Sequence, residues 1–227
     1  GWWQSLIGRV TALRPGIGVD GFKLDYGEEV LVELFGSRLG FRFHDGSTER
    51  TMHREYSMLY HRAYEQVLAR DRVEDGGFVI GRASGWGGQA EVDAIWPGDL
   101  DSDFSVHDDV NVGGLPAAVV GLQTLGASGF VTFGSDTGGY REGTPTAEVL
   151  IRWAEHAALS PILQLGGGGP GHYPWKYDAT TIDLYRRYAR LHTDLVPYLY
   201  ALAARASTDG TPVTLALPLA FPNDPGA

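Results

Sequence analysis

Short apolar segments alternate with amphipathic helical segments along this chain, and this alternation is the feature that most restricts its fold. Five apolar segments have the pattern of strands, at residues 18–26, 77–83, 92–96, 129–134 and 161–165. Helical patterns occupy residues 3–13, 51–70, 115–125, 144–157 and a long stretch from 181 toward 204. Strands joined through helices form a parallel sheet with right-handed crossovers, so the sequence predicts an α/β protein.

The number of strands suits part of a barrel. A closed (β/α)8 TIM barrel needs about 250 residues and eight strands, and no GxGxxG or P-loop sequence supports a nucleotide-binding sheet. We therefore expect residues 1–208 to form the C-terminal part of a TIM barrel, with about five of its eight strands. Residues 209–227 would begin a C-terminal β-domain, with a strand from Thr211. Because five strands cannot close a barrel, we expect the isolated chain to be poorly folded and inactive.

Composition excludes several classes of protein. The net charge of −10 argues against binding to nucleic acid or to an anionic membrane. No apolar run approaches the roughly 18 residues of a membrane span. The chain has no cysteine, and its seven histidines form no HxH or HExxH pattern. The sequence therefore predicts no metal and no cofactor.

Charged residues follow the predicted strands at the points where the strands end. They are Asp25, Arg82, Asp99 and Asp136. The carboxyl ends of parallel strands share one face of a barrel, where the active sites of this fold lie. Two carboxylates in such a place suit cleavage of a glycosidic bond, in which one attacks the sugar and the other moves a proton. From the residues alone, Glu28 and Glu29 compete with Asp25 for the attacking role.

Four ordered motifs surround the charged residues at the strand ends. They are Gly21-Phe22-Lys23-Leu24-Asp25-Tyr26-Gly27-Glu28, Arg82 with Gly88-Gln89, Trp96-Pro97-Gly98-Asp99, and Gly134-Ser135-Asp136-Thr137-Gly138-Gly139-Tyr140. Together they resemble glycoside hydrolase family 31, the family of α-glucosidases and α-xylosidases, and the resemblance extends over residues 18–222. The resemblance implies a retaining α-glycosidase that hydrolyses a terminal non-reducing α-linked sugar, an α-glucoside or α-xyloside, of an oligosaccharide.

The resemblance also implies individual roles. Asp25 would be the nucleophile and Asp99 the acid/base, with their carboxyl groups roughly 5–5.5 Å apart. The implied sugar-binding residues are Lys23, Arg82, Trp96 and Asp136. Family members usually carry Arg-x-His-Gly or a similar sequence after the last strand, where this chain reads Leu163-Gln164-Leu165-Gly166-Gly167-Gly168-Gly169. His172, a few residues later, would substitute for that histidine.

Structural roles remain as alternatives for several of these residues. Arg82 also suits a simple ion pair, Asp136 a turn cap and Trp96 a core position. A transglycosylase or an α-glucan lyase would use the same scaffold, and a sugar-binding barrel without catalysis is a further alternative.

Overall fold

The computed structural model describes residues 1–12, 17–28, 42–72, 76–107, 112–141, 143–168, 170–224 and 226. The chain divides into two compact units, Gly1–Ile95 and Trp96–Ala227. In the described residues the strands are β1 (Gly21–Leu24), β2 (Phe78–Gly81), β3 (Ala94–Ile95), β4 (Gly134–Asp136) and β5 (Ile162–Gln164). The α-helices are α1 (Trp2–Thr11), α2 (Glu49–Asp71), α3 (Leu115–Ala127), α4 (Ala147–Ala158), α5 (Ala179–Asp209) and α6 (Leu217–Ala220). Single 3-10 turns cover Gly88–Ala90, Pro170–His172 and Pro174–Lys176.

The first unit is a parallel sheet of three strands covered by helices, as the alternation predicts. The strand order is β1-β2-β3, and the register pairs Leu24 with Gly81 and Gly81 with Ile95. Leu24, Leu68 and Val79 form its buried core. Because the strands are parallel and in register, the residues that follow β1 and β2 emerge at the same edge of the sheet.

The buried face of α2 agrees only in part with its apolar periodicity, which predicts a shared face of Met52, Tyr56, Leu59, Tyr60, Ala63 and Val67. Met52 and Val67 are buried and Tyr60 and Ala63 are half-buried, but Tyr56 and Leu59 are exposed. His61 and Leu68 take their place in the core. The reason lies in two glycines of the sheet segment: a Cβ on Gly77 would lie 2.6 Å from Leu68 Cβ, and one on Gly81 would lie 2.6 Å from His61 Cε1. The gaps over these glycines accept the two side chains and so select the buried face.

The second unit pairs β4 with β5 in parallel, with Gly134 opposite Ile162 and Asp136 opposite Gln164. Helix α4 buries one face, as its periodicity predicts, through Leu150, Trp153, Ala154 and Ala157. The indole Nε1–H of Trp153 donates to Ser135 Oγ at 2.9 Å, which attaches α4 to β4. A buried indole needs such a partner, so this bond stabilises the helix on the sheet.

Two helix boundaries differ from the prediction. The N-cap of α4 is Thr146, whose hydroxyl accepts from Val149 N–H at 3.2 Å, and the Thr144-Pro145 pair precedes it. Helix α3, which the sequence predicts to end at residue 125, continues through Gly126 to Ala127. A Cβ on Gly126 would lie 3.3 Å from Pro212, so this glycine allows a close approach and does not break the helix.

The strand predicted from Thr211 is wrong. Gly210, with φ of 74°, ends α5, and the described residues after it contain no strand but the short helix α6. Val213 packs into a buried cluster with Leu199 and Ala206 of α5. The contact with α5 decides the conformation of this apolar segment. The observed conformation gives no support for a β-domain. The boundary between residues 208 and 209 stays a prediction.

Parts of the predicted organisation lie outside the described residues. The sequence predicts a loop insertion over residues 33–45, most of which lies outside the described residues. It also predicts that Arg14-Pro15-Gly16 ends the first helix, and these three residues lie outside as well. Within the described ranges, no helix combines the length and apolar character that crossing a membrane requires.

Candidate active site

Asp25 directly follows β1, at a point where the backbone turns sharply. Tyr26 has φ of 62° and Gly27 has φ of 96°, so two successive residues adopt the left-handed region. The N–H of Tyr26 donates to Asp25 Oδ1 at 2.8 Å. A non-glycine residue in this region costs roughly 1–3 kcal/mol and is typical of functional sites, where neighbouring contacts hold it. The turn both ends β1 and fixes the Asp25 carboxylate.

Arg82 lies beside Asp25 because β1 and β2 are in register. Its backbone N–H donates to Leu24 O at 3.2 Å. Its guanidinium contacts Asp25, Glu28 and Tyr26: Nη1 is 3.0 Å from Asp25 Oδ1, Nε is 2.8 Å from Glu28 Oε1, and Cζ lies 4.9 Å from the centre of the Tyr26 ring. A planar guanidinium can bridge two carboxylates and stack on a ring at once, which an ammonium cannot do. The predicted neighbours Asp25 and Arg82 are thus in contact.

The two acids of this cluster differ in what remains available to a ligand. Glu28 uses Oε1 for Arg82, and its Oε2 is buried without a hydrogen-bond partner among the described residues. The Asp25 side chain is 50% exposed. Both hydrogen bonds of its carboxylate go to Oδ1, and none from the described residues reaches Oδ2. Lys23 is exposed on β1, two residues before Asp25.

Asp99 belongs to the second unit and follows a buried segment. Trp96 comes directly after β3 and is 1% exposed, a core environment. Gly98 has φ of 81°, which turns the chain before Asp99. Leu100, the next residue, is buried again. Asp99 is therefore a partly exposed carboxylate between a glycine turn and an anchored leucine.

Asp136 is the last residue of β4 and is 3% exposed, whereas the sequence had placed it after the strand. Its backbone carbonyl accepts from Gly139 N–H at 3.0 Å, which closes the following turn. A Cβ on Gly166 would lie 2.4 Å from Asp136 Oδ1. Only a glycine at position 166 leaves room for this carboxylate.

His172 lies in the 3-10 turn Pro170–His172 and is 1% exposed. Its Nε2 is 3.0 Å from Ser102 Oγ. Sequence reasoning did not single out Ser102, nor Asp101 and Arg141, which form an ion pair of 2.8 Å beside it. Asp101 lies in the polar run Asp99-Leu100-Asp101-Ser102-Asp103, so no local signal in the sequence indicated that it is buried with a partner. Within the described ranges, no group of three or more His, Cys, Asp or Glu residues could hold a metal ion.

The structure describes the predicted site residues in two sets, each within its own unit. Lys23, Asp25 and Arg82 belong to the first unit, and Trp96, Asp99, Asp136 and His172 belong to the second. Parallel strands joined through helices, with charged residues where the strands end, are typical of part of a TIM barrel. The model of the glycosyl hydrolases family 31 TIM-barrel domain matches residues 1–202. The chain belongs to glycosyl hydrolase family 31.

Known proteins of this family share the fold and part of the sequence. An α-xylosidase of Emericella nidulans is 29% identical over 223 residues, which cover 98% of this chain and 26% of that protein. An isomaltosyltransferase of Sporosarcina globispora is 31% identical over 235 residues, 98% of this chain and 20% of that protein. The structure of a cycloalternan-degrading enzyme of Trueperella pyogenes, in complex with a covalent intermediate, has a TM-score of 0.81 at 27% identity. The match covers 99% of this chain and 30% of the chain of that enzyme. The chain thus spans less than a third of each of these proteins.

Proposed function

We propose that this chain is part of the catalytic barrel of a retaining α-glycosidase. The enzyme hydrolyses a terminal non-reducing α-linked sugar, an α-glucoside or α-xyloside, of an oligosaccharide or a simple glycoside. Asp25 is the nucleophile and Asp99 the acid/base. The remaining predicted residues bind the sugar: Lys23, Arg82, Trp96, Asp136 and His172. Membership of family 31 supports the reaction class, and the environment of Asp25 is the observation that carries the assignment.

Asp25 has the environment that a nucleophilic carboxylate needs. The Tyr26 N–H and the Arg82 guanidinium both bind Oδ1, so the orientation of the carboxylate is fixed. In the described part of the chain Oδ2 accepts no hydrogen bond, and the side chain is half exposed. Glu28, the rival acid, also engages Arg82, but its second oxygen is buried. These differences favour Asp25 over Glu28 as the attacking group.

The reaction takes place in two displacements. In the first, an Asp25 oxygen forms a bond to the anomeric carbon while the bond from that carbon to the leaving oxygen breaks. The electron pair passes to the leaving oxygen, which takes the proton of Asp99. In the second, the Asp99 carboxylate removes a proton from water, whose oxygen attacks the anomeric carbon and releases Asp25. The configuration at the anomeric carbon is retained.

Transfer to a sugar is the second candidate, because the Sporosarcina relative is named an isomaltosyltransferase. A transferase needs the same two aspartates, but a sugar hydroxyl replaces water in the second displacement. The Trueperella neighbour, solved with a covalent intermediate, supports the first displacement, which both reactions share. Analysis of products with and without an acceptor sugar separates transfer from hydrolysis, and an unsaturated sugar product would indicate a lyase.

The test uses the complete polypeptide in which this chain occurs, with 4-nitrophenyl and methyl α-glucosides and α-xylosides. We expect Asp25→Ala to abolish turnover of every glycoside. We expect Asp99→Ala to lower kcat/KM on the methyl glycoside by about 10²–10⁴-fold, because its poor leaving group needs a proton. The same variant should still release nitrophenol and accumulate the glycosyl-enzyme. Asp183→Ala, which removes an exposed ion pair with Arg186, is the matched control.

Covalent labelling identifies the nucleophile directly. A 5-fluoroglycosyl fluoride should attach one sugar to the wild-type protein, and peptide mass spectrometry should locate it on Asp25. A label on Glu28 or Glu29 would overturn the assignment of the nucleophile. Normal turnover by Asp25→Ala would overturn the mechanism. A wild-type protein that binds these sugars but cleaves none would indicate a barrel without catalysis.

A further inference from the structure

The segment that follows Asp99 is anchored in the core and to a second strand-end segment. The Leu100 side chain is buried with Ala118, Val149 and Trp153. Its carbonyl accepts two hydrogen bonds, from Tyr140 N–H at 2.8 Å and from Arg141 N–H at 3.1 Å. The residue after Asp99 therefore has a fixed side chain and a fixed carbonyl.

An ion pair between the buried Asp101 and the partly exposed Arg141 reinforces this attachment. The Asp101 side chain is only 7% exposed, and its Oδ1 accepts from Arg141 Nε at 2.8 Å. Its Oδ2 lies 3.5 Å from His107 Nε2. Its backbone N–H donates to Gly113 O at 3.1 Å. A carboxylate at this depth requires a cation close by, so Asp101 commits Arg141 to one position.

Ser102 completes the attachment and connects it to His172. Its N–H and its hydroxyl both donate to Arg141 O, at 3.0 Å and 2.7 Å. Because the only hydroxyl hydrogen of Ser102 is used there, its oxygen accepts from His172, which places a proton on Nε2 of that ring. A Cβ on Gly167 would lie 2.1 Å from His172 Cγ, so the ring is packed tightly. These bonds hold the Ser102 backbone.

The chain enters Asp99 through a turn at Gly98, which has a left-handed conformation with φ of 81°. Asp99 lies directly between this turn and the anchored segment, so the attachment of that segment contributes to the orientation of Asp99. A proton donor must lie within about 2.6–3.2 Å of the atom that it protonates. A rotation of the Asp99 backbone would break that distance without removing the carboxyl group.

We infer that Asp101 and Arg141 are positioning residues for Asp99: their ion pair, with Leu100 and Ser102, holds the acid/base in its productive orientation. The inference rests on the proposed function, in which Asp99 moves the proton. The dependence of the rate on the leaving group distinguishes this positioning role from a purely structural one. A misplaced acid slows departure of a poor leaving group and spares a good one, whereas a weakened fold lowers both rates together.

The test measures kcat/KM, which reports the first displacement, for methyl and 4-nitrophenyl α-glycosides of the same sugar. We expect Arg141→Gln and Asp101→Asn in the complete polypeptide to lower kcat/KM on the methyl glycoside by about a hundredfold. On the 4-nitrophenyl glycoside kcat/KM should fall by no more than about threefold, because nitrophenolate departs with little protonation. Arg141→Lys keeps a cation near Asp101 and should recover part of the loss. Arg152→Gln, which removes an exposed ion pair with Glu155 on α4, is the matched control and should change neither value.

Each outcome supports or overturns the inference. Equal losses on the two glycosides, or no loss on either, would overturn it while leaving the proposed function intact. An inactive wild-type protein would overturn the proposed function and this inference together. If Arg141→Gln fails to fold, Arg141→Lys and Ser102→Ala still decide, because a selective loss on the methyl glycoside supports the inference and equal losses contradict it.

Discussion

His61 provides the clearest physical test of the packing in the first unit. Its ring is fully buried between α2 and the backbone of Gly81. Neither ring nitrogen has a hydrogen-bond partner among the described residues. Burial lowers the pKa of His61 from its ordinary value to about 4, although the negative charge of Glu91 opposes the change. The native ring is therefore neutral at pH 7.

The sign of the pH dependence follows from this lowered pKa. As the pH falls below about 6.5 the unfolded chain takes up a proton on this ring, whereas the native protein does so only near 4. The native state is thus most stable above that range and loses stability as the pH falls. The lowered pKa corresponds to a loss of about 2 kcal/mol between pH 7 and pH 5, and about 3 kcal/mol by pH 4.

His61→Leu removes this proton uptake and fills a similar space with apolar atoms. At pH 7 we expect its stability to equal or exceed that of the wild-type protein, because two unsatisfied nitrogens leave the core. Between pH 7 and pH 5 the wild-type protein should lose about 2 kcal/mol more than the variant. His53→Leu, on the exposed side of the same helix, is the matched control.

Two measurements check the prediction in the complete polypeptide. Hydrogen–deuterium exchange at the imidazole C2 position, followed by mass spectrometry, reports the pKa of each histidine, and we expect a value of about 4 for His61. Urea unfolding of the first unit, followed by amide exchange in α2, reports the difference in stability. A pKa of 6 or higher, or equal losses of stability in wild type and His61→Leu, would refute the reasoning.

Two further predictions concern the candidate active site. Arg82→Lys should lower kcat/KM by about a hundredfold, because an ammonium cannot bridge Asp25 and Glu28 as the guanidinium does. An unchanged kcat/KM in steady-state kinetics would contradict this. Gly166→Ala should displace the Asp136 carboxylate, which lies 2.4 Å from the added Cβ, and should raise KM more than it lowers kcat. An unaltered KM in that variant, measured with a 4-nitrophenyl glycoside, would show that Asp136 does not bind the sugar.

Local pattern predicted much of the candidate site. A strand interrupted by a charged residue and a glycine is a signal contained in a few neighbouring residues, and it placed Asp25 and Arg82 at the ends of β1 and β2. The parallel direction of the strands follows from the alternation of strands and helices. The register that the structure shows then brings those two ends to one edge. Their contact of 3.0 Å is the consequence. The enzymatic roles of Asp25, Asp99 and the sugar-binding residues remain predictions.

Other features depended on contacts between segments distant in sequence. Periodicity predicted only part of the buried face of α2, because glycines near and in β2 also receive His61 and Leu68. The apolar segment from Thr211 has the composition of a strand, but packing of Val213 against α5 leaves it without one. The ion pair between Asp101 and Arg141 joins residues 40 positions apart, and no local pattern indicates such a partner.

By itself, the sequence determined the α/β class, the order of the elements and the charged residues at the strand ends, since these depend on residues close together in the chain. Only the tertiary structure decided which oxygen of Asp25 is held, which face of α2 is buried and how the segment after Asp99 is anchored. These features depend on side chains that meet across the sheet and between turns. The free energy of such contacts is set by burial and geometry, which the linear order of residues does not contain.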